Sequence, residues 1–358
     1  MKKEIKSLTG LRGVAALYVA IYHWFRSNED KIELLKFHFP VFIKHGYMSV
    51  DMFFILSGFV ITLSSRKLFE SGINTQNYLL FMKRRFTRVY PIYLIITLIA
   101  FVLLLRLHDV RSLLWNLALI QVFTQAQYVL DPSWSLSAEW FAYLLFPFIF
   151  YLAYLYEGVL WIIVCFILSF FTLLFISSNF NIFLNSIQLL KDTYGPLDKY
   201  RGLASVLRCF SEYLIGISLF KVYSFYKEKY SILYHIATIP CVFLLLVLLF
   251  VPNSDTFLVL LFAVLIISLS TDEGFIAKIL SSKYIYILGE ISYSLYLIHP
   301  IIISSQATLY IKLNKFHFLY STEISYLIFG ISLIYFSYLT HKLIEVPSRT
   351  YVKKKLSV

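Results

Sequence analysis

Charged residues are scarce in this sequence, and their scarcity excludes an ordinary soluble protein. Of the 358 residues, 15% are Asp, Glu, Lys or Arg and 59% are hydrophobic. Apolar runs of about 20 residues, each long enough to cross a hydrocarbon core of ~30 Å, recur along the chain. Only helices and closed barrels satisfy the backbone in lipid, and the runs lack the alternation of barrel strands. The sequence therefore predicts an all-α, polytopic membrane protein.

Cysteine is also scarce, which excludes several classes of site. Cys165, Cys209 and Cys241 all lie in apolar runs, and none belongs to a CxxC motif. The sequence thus gives no sign of a disulfide framework, a metal site or a thiol redox centre. The first apolar run contains Arg12 and lacks an Ala-x-Ala cleavage site. We therefore expect a retained helix there and not a cleaved signal peptide.

The basic residues predict the topology. The net charge is +12, and the positive-inside rule explains it without a nucleic-acid partner. Segment 112–130 is rich in Asn and Gln, so we interpret it as interfacial or re-entrant. Counting it as a span would place the majority of the basic residues outside. We predict about ten spans with both termini cytoplasmic, a membrane domain over 1–350 and a basic tail over 351–358. The spans are expected near 8–25, 46–65, 88–106, 136–156, 158–177, 203–225, 231–251, 255–270, 286–311 and 322–343.

Two polar residues, Arg12 and His23, interrupt the first span. They are three helical turns apart, about 16 Å along one face. A charge inside a span costs about 2.5–3.5 kcal/mol, and a neutral imidazole accepts a hydroxyl proton near neutral pH. The pair indicates a polar path with a cation near one end and a base deeper in the bilayer. A structural arginine and a hydrogen-bonded core histidine are the alternative.

A basic cluster, Lys83-Arg-Arg-Phe-Thr-Arg-Val-Tyr-Pro91, begins the third span. A helix would place Arg85 and Arg88 on one face. Guanidinium groups match phosphate oxygens in pairs of hydrogen bonds, so Arg84, Arg85 and Arg88 are candidate phosphate ligands. A topology anchor explains the same cluster.

The second span holds an acid that needs a partner, Asp51. Ser57-Gly58 follows it and permits close helix packing or a helix break that lines a cavity. Arg208 and Glu212 are four residues apart and most simply pair with each other.

The predicted outer surface carries a second polar group. In Trp134-Ser-Leu-Ser-Ala-Glu-Trp140, Ser135 suits a helix N-cap, and Glu139 is placed to orient His23 or to contact a sugar. The tryptophans equally suit an interfacial belt. His299 lies in a late span, and its role is left open.

Together these segments resemble the transmembrane acyltransferase-3 family, from Leu8 to about Arg349. Members O-acylate extracytoplasmic glycans and some small molecules. The motifs that carry the resemblance are Leu11-Arg-Gly-Val-Ala15 with His23, Phe53-Phe-Ile-Leu-Ser-Gly-Phe59, Arg85-x-x-Arg88 with Tyr90-Pro91, Trp134-Ser-Leu-Ser-x-Glu139, and Ile291-Ser-Tyr-Ser-Leu-Tyr-Leu-Ile-His-Pro300.

The resemblance implies a multi-pass protein of the bacterial inner membrane and gives Arg12, His23, Arg85 and Arg88 functional roles. Acyl-CoA, usually acetyl-CoA, would be a cytoplasmic co-substrate, with no permanently bound cofactor. The acceptor would be a glycan or lipid-linked saccharide such as O-antigen.

On this hypothesis Arg84, Arg85, Arg88 and Ser57 hold the donor, and Arg12 guides it inward. His23 acts as a general base or as an acyl-carrying nucleophile. Asp51 or Glu139 fixes its tautomer. Trp134, Ser135 and His299 are predicted to contact the acceptor.

Three other functions fit the sequence. The chain could be a transporter or a flippase of lipid-linked glycan, although no internal repeat supports this. It could acylate a lipid or a diffusible small molecule, or serve as a non-enzymatic assembly factor, which would tolerate His23→Gln.

Overall fold

All regular structure in the described part of the chain is helical. The computed structural model describes residues 4–28, 41–103, 109–124, 126–156, 158–178, 195–198, 201–315 and 321–356. The α-helices are α1 Lys6–Asn28, α2 Val41–Lys44, α3 Ser49–Ser65, α4 Thr75–Leu103, α5 Val110–Leu117, α6 Trp134–Leu155, α7 Val159–Ser178, α8 Gly202–Leu248, α9 Asp255–Leu269, α10 Phe275–Leu280, α11 Lys283–Glu290, α12 Ser292–Lys315, α13 Ser321–Thr340 and α14 Val346–Lys355.

The protein is a multi-pass membrane protein. Six described helical segments are long and apolar enough to cross a membrane, and α11 with α12, bent by 69°, would form a seventh crossing. The six are Val41–Leu68, Thr75–Leu103, Asp131–Leu155, Val159–Ser178, Gly202–Tyr226 and Tyr326–Lys355. The count of ten and the side of the termini stay predictions.

Three predicted spans account for the difference in number. Helix α1 is 23 residues long, but Arg12 and His23 lower its mean hydropathy. Helix α9 has 15 residues, about 22 Å at 1.5 Å per residue, which is shorter than the hydrocarbon core. The second apolar part of α8, Ile236–Leu248, is shorter still.

The helices pack around α1 and α8. Helix α1 contacts α3, α11 and α12, whereas α8 contacts α3, α6, α7 and α9. Small residues allow these approaches. A Cβ atom on Gly13 would lie 2.5 Å from the Gly289 nitrogen, and one on Gly58 would lie 2.4 Å from the Tyr213 carbonyl oxygen. The Ser57-Gly58 pair therefore serves close packing within a continuous helix.

A buried ion pair joins α3 to α8. The Arg208 guanidinium donates to both carboxylate oxygens of Asp51, with Nε 2.7 Å from Oδ1. Glu212 lies farther away, with Oε1 3.6 Å from the same Nε. Asp51 is thus the main partner of Arg208. The prediction that Arg208 pairs with Glu212 was incomplete, because the sequence does not show which helices contact each other.

Segment 112–130 folds back without a long helix. Helix α5 has 8 residues, about 12 Å, which is too short to span. The Asn116 amide donates to the carbonyl oxygens of Ser112 and Gln127, both at 2.8 Å. The Gln121 amide donates to the Ser133 carbonyl at 3.1 Å. The prediction that this segment is not a span is confirmed.

Candidate active site

A cavity of about 570 Å³ lies between α1, α3, α4, α6 and α12 and reaches α14. Much of its lining is apolar or aromatic and includes Phe53, Tyr143, Tyr293 and Tyr296. Six of the residues predicted to be functional line it: Arg12, Ser57, Arg85, Arg88, Ser135 and Glu139.

Two arginines of α4 face the cavity from one side of the helix, as their spacing predicts. The Arg85 side chain is 8% exposed, and its guanidinium lies 5.6 Å from the centroid of the Phe81 ring. Its Nε has no hydrogen-bond partner. Among the described residues, no carboxylate forms an ion pair with Arg85 or Arg88. Since an uncompensated buried charge is costly, this wall favours an anionic ligand.

Arg12 lies where α11 meets α12. Its Nε donates to the Ser292 hydroxyl at 2.8 Å, and Nη2 donates to the Gly289 carbonyl at 2.9 Å. That carbonyl belongs to the last turn of α11, where backbone acceptors lack partners within the helix. Arg12 thus fixes the bend between α11 and α12 and also lines the cavity.

The C-terminal segment adds a group that the sequence interpretation missed. His341, Glu345 and Arg349 all line the cavity. Glu345 accepts a hydrogen bond from the Ser294 hydroxyl at 2.5 Å and lies 3.0 Å from Nδ1 of His341. The spacing of four residues from His341 to Glu345 and from Glu345 to Arg349 could have shown that the three share one helix face. It did not reveal that this segment returns to α4.

Glu139 and Ser135 connect the walls of the cavity. The Ser57 hydroxyl of α3 donates to Glu139 of α6. The Ser135 hydroxyl is 2.7 Å from the Tyr296 hydroxyl of α12. Ser135 was predicted as an N-cap, but a 3₁₀ turn precedes α6, and the helix has no side-chain cap. Its hydroxyl instead joins α6 to α12.

His23 and His299 meet outside the described lining of the cavity. Nδ1 of His23 is 3.2 Å from Nε2 of His299. Neither ring is part of the described cavity lining. Two lining residues connect the cavity to the pair: the ring centroid of Tyr296 is 5.9 Å from that of His299, and Phe53 meets the Tyr296 ring edge-on at 5.8 Å. We call Phe53 and Tyr296 the aromatic wall, because both line the cavity and Tyr296 also contacts the ring of His299.

The remaining predicted residues lie elsewhere. Asp51 is paired with Arg208 and is not in contact with His23. Trp134 is buried against Arg208, whose guanidinium lies 5.5 Å from its ring centroid. Arg84 is half-buried and outside the described lining of the cavity. Their predicted functional roles stay predictions.

Comparison with known proteins decides the family. A family model described as an acyltransferase domain matches residues 5–342. The chain belongs to the acyltransferase-3 family. It is 32% identical over 159 residues to acyltransferase MdmB of Streptomyces mycarofaciens, covering 40% of this chain and 38% of that protein. It is 27% identical over 392 residues to a Staphylococcus aureus protein named "Putative O-acetyltransferase", covering 97% of this chain and 58% of that protein. No solved structure matches.

In this acyltransferase-3 chain the site has two compartments. The first is the cavity, lined by four arginines, Arg12, Arg85, Arg88 and Arg349, which suit an anionic ligand. The second is the histidine pair, whose imidazoles can accept a proton or attack a carbonyl. Tyr296 of the aromatic wall belongs to the lining of the first and contacts His299 of the second.

Proposed function

We propose that the protein is an O-acyltransferase of the bacterial inner membrane. It transfers an acyl group, acetyl in the first instance, from cytoplasmic acyl-CoA to a hydroxyl of an extracytoplasmic glycan. The observation that carries the proposal is Arg85, a buried guanidinium whose Nε lacks a partner at the wall of a large cavity. This residue is most easily explained by a ligand that brings negative charge.

The chemistry of coenzyme A suits the cavity. Its phosphates would meet Arg85 and Arg88, with Arg12 and Arg349 also in the cavity lining, because guanidinium groups bind phosphate oxygens bidentately. Its long, uncharged pantetheine arm suits the apolar and aromatic part of the cavity near Tyr296. The positive-inside rule would place this arginine-lined end at the cytoplasm.

His23 is the proposed catalytic residue. As a general base it takes the proton of the acceptor hydroxyl while the oxygen attacks the thioester carbonyl. The carbon–sulfur bond breaks, and the proton leaves with the thiol of CoA. As a nucleophile its nitrogen would first form an acyl-imidazole with loss of the thiolate, which the hydroxyl then displaces. Both routes require the thioester to pass the aromatic wall.

The proposed acceptor is a glycan or a lipid-linked saccharide that enters from the opposite face. The histidine pair lies outside the described cavity lining that holds the arginines, so donor and acceptor would reach His23 from different sides. The name of the Staphylococcus aureus relative, "Putative O-acetyltransferase", supports a hydroxyl acceptor for this chain.

The first test is label transfer in membrane vesicles. Inside-out vesicles with equal amounts of wild type, His23→Ala, Arg85→Gln or Arg66→Gln receive radioactive acetyl-CoA, and label is counted in extracted envelope glycan. We expect label with wild type and Arg66→Gln, since Arg66 lies outside the cavity lining. His23→Ala should give none, and Arg85→Gln should need more acetyl-CoA.

The other outcomes discriminate between functions. Absence of label with every chain, and with longer acyl-CoA donors, would contradict the proposal and favour a transporter or flippase. Label in the lipid or small-molecule fraction would change the acceptor class. Equal label with wild type and His23→Ala would exclude His23 as the catalytic residue.

A further inference from the structure

The contact between His23 and His299 joins residues 276 positions apart. Their ring centroids are 5.1 Å apart, and the nitrogens in contact are Nδ1 of His23 and Nε2 of His299. One of these nitrogens must donate the hydrogen bond and the other accept it. The rest of the surroundings determines which.

The other nitrogen of His299 faces only main-chain acceptors. Nδ1 is 3.3 Å from the Leu295 carbonyl oxygen, and the Tyr296 carbonyl also lies within hydrogen-bonding reach. Pro300 follows within the same helix and has no N–H to offer the carbonyl four residues earlier, which is that of Tyr296. Carbonyl oxygens only accept hydrogen bonds, so Nδ1 of His299 carries the proton.

The tautomer of His23 follows from this. A neutral imidazole protonated at Nδ1 has its lone pair at Nε2, so His299 accepts and His23 donates from Nδ1. The remaining nitrogen of His23, Nε2, then keeps its lone pair. That is the form in which an imidazole accepts a proton or attacks a carbonyl.

No carboxylate of the described residues replaces His299 as the acceptor of the hydrogen bond from His23. Among the described residues, neither ring has an Asp or Glu within hydrogen-bonding distance. The Tyr22 ring lies beside His23, with the ring centroids 5.0 Å apart. Tyr296 faces His299. The two imidazoles therefore contact aromatic rings, a main-chain carbonyl and each other.

Burial assigns the two roles. His299 is 0% exposed, whereas His23 is half-buried, so only His23 can meet a substrate. We infer that His299 is a positioning residue that holds His23 in the tautomer with a reactive Nε2. The part that His23 plays in catalysis rests on the proposed function, but the tautomer itself does not. The earlier expectation that His299 contacts the acceptor gains no support from its complete burial.

The test compares His299→Gln with His299→Leu. The Gln carbonyl reaches about as far as the histidine Nε2 and can still accept from His23, whereas Leu has no acceptor. Protein labelled with ¹⁵N-histidine is studied in lipid by solid-state NMR, and His23 is assigned from the signals lost in His23→Gln. We expect Nε2 of His23 to be unprotonated in wild type and His299→Gln, and protonated in a substantial fraction of His299→Leu.

Kinetics give the second readout. We expect His299→Leu to lower kcat by at least about tenfold, since a positioned base contributes about 10²–10⁴-fold, with KM for acyl-CoA within about twofold. His299→Gln should recover most of the loss. A protonated Nε2 in wild type, or equal tautomers in the two variants, would overturn the inference. A confirmed tautomer without any acyl transfer would contradict only the proposed function.

Discussion

At the residue scale, the proposed ligand-binding role of Arg85 comes with a cost to the folded protein. Its guanidinium is buried over Phe81, and its Nε lacks a partner. An uncompensated buried charge destabilises a protein, and apolar replacements of similar size are often neutral or stabilising. The residue that best indicates the donor site should therefore oppose stability when the site is empty.

A prediction for Arg85 follows. Arg85→Met should raise the melting temperature of the ligand-free protein, because its free energy of unfolding should increase by about 1–3 kcal/mol. The same variant should lose the stabilisation that we expect CoA to give the wild type. That protection is about 2.7 kcal/mol at a ligand concentration of 100 Kd. Thermal unfolding in detergent, with and without CoA, measures both effects. A lower melting temperature with intact CoA protection would contradict the assignment of Arg85.

The ion pair of Asp51 and Arg208 should behave in the opposite way. Asp51→Asn leaves a buried guanidinium without its main counter-charge, so we expect a loss of about 3–5 kcal/mol. Denaturation of the purified protein tests this. The double variant Asp51→Asn with Arg208→Met should be more stable than Asp51→Asn alone. If the single variant is as stable as wild type, the pair has no structural role.

At the element scale, the glycine contacts fix how closely α3 and α8 pack. Gly58 of α3 packs against the backbone of α8 near Tyr213. A Cβ atom on Gly216 of α8 would in turn lie 2.2 Å from the Ile55 carbonyl oxygen. The same helices are joined by Asp51 and Arg208. Helix α3 also supplies Phe53 and Ser57 to the cavity, so a change in this packing would move the aromatic wall.

Gly58→Ala is the corresponding test. Its new methyl group would lie 2.4 Å from the Tyr213 carbonyl oxygen, so the helices must separate, at a cost of about 1–3 kcal/mol. Gly330→Ala is the matched control, because a Cβ there has nothing within 4 Å. We expect a lower melting temperature and lower acyl transfer for Gly58→Ala alone. Equal behaviour of the two variants would contradict the close packing.

The sequence predicted single helices better than contacts between them. The three-residue spacing of Arg85 and Arg88 determines their common face, and the polar residues of segment 112–130 exclude a span. The partners of Asp51 and His23 were not predictable, because periodicity within one helix carries no information about which other helix packs on it. Arg349 was missed for the same reason, since it reaches the cavity through a segment distant in the chain.

At the scale of the whole molecule, one end of the helix bundle gathers both ends of the described chain. Glu4 and Arg349 line the same cavity, and the Ser7 hydroxyl donates to the Leu269 carbonyl at the end of α9. The other end of α9 holds Asp255, which accepts from the Tyr47 hydroxyl at 2.8 Å. The loop before α9 therefore lies at the opposite end of the bundle.

This arrangement predicts which positions share a side of the membrane. Lys6→Cys and Lys355→Cys should be labelled from the same side by an impermeant maleimide, and Asn253→Cys from the other. Background should be low, because the three native cysteines are buried. Labelling of right-side-out and inside-out vesicles makes the comparison. If Lys6→Cys and Lys355→Cys were labelled from opposite sides, the arrangement would be refuted.

The aromatic wall also has an electrical consequence. A membrane potential of 100 mV drives each elementary charge with about 2.3 kcal/mol, and a continuous water-filled passage from the arginine-lined cavity to the far side would leak protons and ions. Phe53 and Tyr296 line the cavity, and Tyr296 contacts His299 from there. On the proposed function, the rings would insulate the two sides, so that a neutral acyl group crosses while the cell keeps its ion gradients.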